Sequence, residues 1–134
     1  MLAARAVYIG LPAYTEVFFR ERESVAKARQ LTAAALADWK LAESADSAVL
    51  ICSELVTNSV EHAKGASLRL TVTRRLTGVR IAVVDLSRLR PTVRPEDADG
   101  EHGRGLVIVQ ALAFRWGTDP LRWGKRVWAD LDIP

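Results

Sequence analysis

Apolar positions divide the chain into helical and extended stretches. Val25, Ala28, Leu31, Ala35, Leu36 and Trp39 recur at helical spacing, so a first helix is predicted over 24–39 with Ser24 as its cap. A denser set, Val49, Leu50, Ile51, Cys52, Leu55, Val56 and Val60, predicts a second helix over 45–63, capped by Ser44 and stopped by Gly65. Leu68, Leu70 and Val72 alternate with Arg69, Thr71 and Thr73, the period of a half-buried strand over 67–75. The stretch 79–85 is nearly continuous apolar and reads as a more buried strand, joined to the first by a Thr77-Gly78 turn. Val17, Phe18 and Phe19 predict an edge strand within 14–21.

Residues 86–103 form a long polar stretch with Pro91, Pro95 and Gly100. A loop of that length is usually functional or mobile. A third helix is expected over 105–114 with Leu106, Val109 and Ala113 inward, then two strands near 115–118 and 126–131. This order predicts an α+β two-layer sandwich: a mostly antiparallel mixed sheet with about three helices on one face.

A length of 134 residues suits one domain, 1–134, with a real core. With 49% hydrophobic and 26% charged residues, a globular chain is expected rather than a disordered one. A net charge of +3 is modest for a nucleic-acid binder, and neither an aromatic stacking platform nor a groove-reading helix stands out, so a basic nucleic-acid-binding domain ranks low. The lone Cys52 excludes an internal disulfide and fits a reducing, cytoplasmic setting. No apolar run reaches the length of a membrane span.

The candidate chemistry begins in the second helix. Glu54, Asn58 and His62 are spaced i, i+4, i+8 and share one stripe. A carboxylate and a carboxamide on a largely buried helix are costly without partners, and a divalent cation with a polyphosphate would supply them. The plain alternative is a polar rim with Glu54 paired to an arginine. Asp85 ends an apolar strand, where a carboxylate can accept from a base amino group or simply start a turn. Gly103-Arg104-Gly105-Leu106 precedes the third helix, where glycines and free N–H groups would receive phosphate or form only a hinge. Gly124-Lys125-Arg126-Val127-Trp128 reads most plainly as a hairpin turn entering a strand. The tryptophans read as core or rim residues.

In order and spacing, the segments SELVTNSVEHA, VVDLS, GRGL and GKRVW resemble the GHKL ATPase superfamily. Within it the likeness is to small actinobacterial ATP-binding regulators related to anti-sigma-factor serine kinases. The resemblance implies a Bergerat-type ATP pocket. Glu54 would be the general base and Asn58 the Mg²⁺ ligand. Asp85 would read adenine, with Ser87 beside it. Gly103, Arg104, Gly105 and Leu106 would bind phosphate, and residues 88–103 would be the ATP lid. Two departures from the pattern stand out. Ser87 stands where larger relatives have glycine, and Lys125-Arg126 stands where a threonine is usual. Both point to a looser or slower pocket.

The resemblance implies an ATP-binding, partner-switching regulator. It would act as a serine/threonine protein kinase on an antagonist protein and as an anti-sigma factor, with a homodimer and a sigma factor among its partners. The alternative is a nucleotide-gated protein-binding module without kinase activity.

Overall fold

A computed structural model describes residues 5–8, 11–85 and 101–133, with 5–8 and 101–106 described through the backbone only. Six strands, β1 (Arg5–Tyr8), β2 (Leu11–Phe19), β3 (Ser67–Arg75), β4 (Gly78–Asp85), β5 (Arg115–Leu121) and β6 (Gly124–Asp132), form one sheet in the order β1-β2-β3-β4-β6-β5. Three helices, α1 (Glu23–Asp38), α2 (Ala45–His62) and α3 (Glu101–Leu112), complete the α+β fold. Every neighbouring pair of strands is antiparallel, so the sheet is not mixed.

The register sorts the residues by face. Leu68, Leu70, Val72, Val79, Ile81 and Val83 turn to the helices and are fully or almost fully buried. Opposite them, α2 buries Ala48, Ile51, Cys52, Leu55 and Val56, an i, i+3, i+4, i+7, i+8 stripe. α1 adds Ala28, Leu31, Ala35 and Leu36 to the same core. Cys52 packs there as a small hydrophobe, its thiol pushed up to about 11, mainly by burial.

The structure corrects several boundaries. β2 is not an edge strand, because β1 pairs outside it. Ser24 does not cap α1; the helix starts at Glu23, and Ser24 Oγ donates instead to the Phe19 carbonyl at 2.6 Å. Ser44 occupies the N-cap position of α2 without a capping side-chain bond, after a 3-10 turn over Ala42–Ser44. The end of α2 is secured by Arg20, whose guanidinium donates to the carbonyls of Ser59, Val60 and Gly65. Gly65 itself adopts φ 102, which lets the chain turn back into β3. β5 and β6 both extend further than alternation alone indicates. Trp123 is 61% exposed, neither core nor rim.

Candidate functional site

Sheet register and helix connection gather the candidate residues at one end of the molecule. Leu68 lies opposite Asp85, so the start of β3 and the end of β4 coincide. α2 enters β3 through the short turn 63–66, and Arg20, just beyond β2, bonds to the last turn of α2. The C-terminal half of α2, which carries Asn58, therefore sits at the Asp85 end of the sheet. α2 packs against β4 and α3.

Asp85 is 2% exposed and faces the helix layer. An apolar strand delivers it there because β4 keeps Val79, Ile81 and Val83 on the same face. Its partner across β6 is Lys125, on the same face. Arg126, one residue on, turns to the opposite face and holds Asp119 at 2.6 Å. The basic pair is thus split between the two faces, and only Lys125 is on the side of Asp85.

Glu54 and Asn58 are half-buried on α2, one turn apart, beside the buried Leu55 and Ser59. Among the described residues Glu54 forms no ion pair. Burial raises the Glu54 carboxyl above its ordinary value, and the Glu61 carboxylate adds to the rise. A carboxylate moved in that direction is a better proton acceptor. His62 is exposed at the helix end and lies 3.3 Å from Glu61, so it continues the stripe without entering the core.

The glycine segment differs from its sequence reading. α3 begins at Glu101, four residues before the expected start, and ends at Leu112 rather than 114. Gly103 therefore lies in the first turn, whose N–H groups have no partner within the helix. Gly105 and Leu106 lie where a regular helix bonds each N–H to the carbonyl four residues back. Arg104 shares this first part of the helix, and its side chain is outside the described residues. Only Ala113 and Phe114 separate α3 from β5, and the two elements pack together, so they run antiparallel. β5 starts opposite Asp130, at the far end of the sheet. Twelve helical residues rise about 18 Å, close to the strand distance from Asp130 back to Lys125. The first turn of α3 is thereby returned toward the Asp85 end. Val109 anchors this placement and is fully buried.

Ser87 and residues 88–100 of the expected lid lie outside the described residues, while 101–103 belong to α3. Among the described residues no group of three or more His, Cys, Asp or Glu side chains could hold a metal by itself. A cation of the Mg²⁺ kind, which takes phosphate oxygens among its ligands, needs no such group. Asn58 has the right donor for it. No described helix is long and apolar enough to cross a membrane.

A half-buried carboxyl group, a carboxamide one turn later, a buried carboxylate at a strand end and an open helix start share one end of the fold. Such a set suits a nucleotide: the carboxylate for a base, the helix start for phosphates. Sequence reading took Lys125 and Arg126 together as a departure at the pocket, and only the β6 register separates them, keeping Lys125 alone on this side. Among curated proteins none matches the chain. The family model of the histidine kinase-like ATPase domain matches residues 18–119, from the end of β2 into β5. The chain belongs to that GHKL-type family, and a domain of this kind implies ATP as its nucleotide.

Proposed function

We propose that this protein is an ATP-binding regulator of the partner-switching type. It would use Mg-ATP to phosphorylate a serine or threonine of an antagonist protein, and its partner set would include a sigma factor. The observation that carries the reading is the half-buried Glu54, its carboxyl raised by burial and set one turn before Asn58. A hydroxyl brought to that carboxylate would lose its proton to it as the oxygen attacks phosphorus. Asp85 would accept from the adenine amino group, and the first-turn amides of α3 near Gly103 would steady the phosphate charge. Asn58 would hold Mg²⁺, which when bound neutralises phosphate charge.

The test is phosphate transfer to a purified antagonist with wild type and Glu54→Ala. Transfer should vanish in the variant while Mg-ATP binding persists. Normal transfer by Glu54→Ala would remove Glu54 from this role.

A second reading is a nucleotide-gated binding module without kinase activity. It draws support from the position of Lys125, which places an ammonium-bearing side chain beside Asp85 where the family pattern has a threonine. It predicts nucleotide-dependent partner binding with no phosphoprotein product.

A further inference from the structure

The sheet face turned away from the helices carries a second chemistry, independent of the nucleotide site. No described element covers this face. The register places five guanidiniums on it: Arg69 and Arg75 on β3, Arg80 on β4, Arg115 on β5 and Arg126 on β6. The carboxylates on the same face are Asp119, Asp130 and Asp132.

Its centre is a built platform. Trp128 lies across Gly117, where any Cβ would come within 2.8 Å of the ring, so only glycine admits this packing. The Arg80 guanidinium stacks 4.3 Å from the Trp128 centroid and Arg115 stands at 5.8 Å. Arg80 also grips the buried Asp130 through two bonds of 2.7 and 2.9 Å. That fork already satisfies a carboxylate. Arg115 at 2.7 Å and Arg75 at 3.6 Å are additional cations on the same group, although clustering like charges is unfavourable. The Arg115 side chain is 54% exposed, and among the described residues it is engaged through Nε alone, which donates to Asp130. Beside the platform is a cleft of about 170 Å³ between Arg75, Arg115 and Phe114, whose ring is 74% exposed.

We infer that this face docks an acidic segment of a partner protein. Partner carboxylates pair with Arg115, Arg75 and Arg69, and an apolar partner side chain enters the cleft against Phe114. The charge excess selects this occupant. A second copy would bring a face of the same sign. A continuous phosphate backbone would meet the three aspartates that interrupt the arginines.

Fluorescence anisotropy of the full chain tests this with three labelled probes: a short peptide of aspartate and leucine, its asparagine counterpart, and single-stranded DNA. The acidic peptide should bind at least about tenfold tighter than the amide peptide, and Arg115→Gln should weaken it by about tenfold. Arg115→Gln should stay folded at the assay temperature, because Arg80 keeps Asp130 paired. Arg69→Gln, remote from Asp130, should weaken the peptide in the same direction and checks the result should Arg115→Gln alter folding. Absence of acidic-peptide binding would overturn the inference. So would equal binding of the amide peptide, indifference to both substitutions, or DNA binding as tight with the same sensitivity.

Discussion

Replacing Asp85 by alanine isolates the group assigned to the base. The residue is 2% exposed at the end of β4, and the ladder to β3 and β6 is made by backbone groups that the substitution leaves in place. What disappears is one buried charged acceptor. A hydrogen bond to a charged group contributes about 1.5–3 kcal/mol, and about 1.4 kcal/mol is tenfold in affinity, so the expected loss for Mg-ATP is about 10- to 150-fold. Affinity alone does not identify the contact, so the assay is calorimetry with two ligands. One is ATP. The other is purine riboside triphosphate, which has hydrogen in place of the amino group. Wild type should prefer ATP by roughly the factor above. Asp85→Ala should bind both alike, near the affinity of wild type for the analogue. Circular dichroism of the variant checks that the sheet persists. An Asp85→Ala protein that still preferred ATP over the analogue as strongly as wild type would refute the assignment.

Glu54→Gln should lower phosphate transfer by about 10²–10⁴-fold with little change in Mg-ATP affinity, measured by single-turnover transfer to a purified antagonist. The raised Glu54 carboxyl also has a stability signature. Its contribution is present below its unfolded value near 4.5 and lost as pH rises through the higher folded value, so Glu54→Gln should gain on wild type in melting temperature toward neutral pH. Asp130 behaves oppositely. Burial would raise its carboxyl, but the Arg80 and Arg115 hydrogen bonds outweigh this and hold it below 3.8. Its stabilisation is complete above that value and lost as pH falls through the folded one, so Asp130→Asn should flatten the acid limb of the unfolding curve and cost about 1.5–3 kcal/mol at neutral pH. Leu55→Ala removes a side chain 1% exposed beneath Glu54 and Asn58 and should cost about 2–5 kcal/mol in urea denaturation.

Much of the architecture was legible because it is local. Alternation over 67–75 and the apolar run after Thr77-Gly78 fix β3 and β4 through side-chain period alone, and the stripe on α2 follows from helical spacing. The unusual placement of Glu54, Asn58 and Asp85 was legible for a related reason: each polar group interrupts an apolar pattern that would otherwise bury it. Helix ends were less so. Ser24 reads as a cap in sequence, yet the helix starts one residue before it, so its hydroxyl lies inside the first turn and donates to the Phe19 carbonyl. The start of α3 was read four residues late, because glycines weigh against a helix in sequence while packing of the helix on α2 outweighs their propensity cost.

The sequence by itself determined the element types, the apolar faces and the residues whose chemistry needs a partner. Only the tertiary structure decided which of those residues meet. Strand order and register are contacts between segments far apart in the chain, and no local period encodes them. That register sets Lys125 beside Asp85 and sends Arg126 to the other face. It likewise gathers Arg75, Arg80 and Arg115 around Asp130, from four different strands.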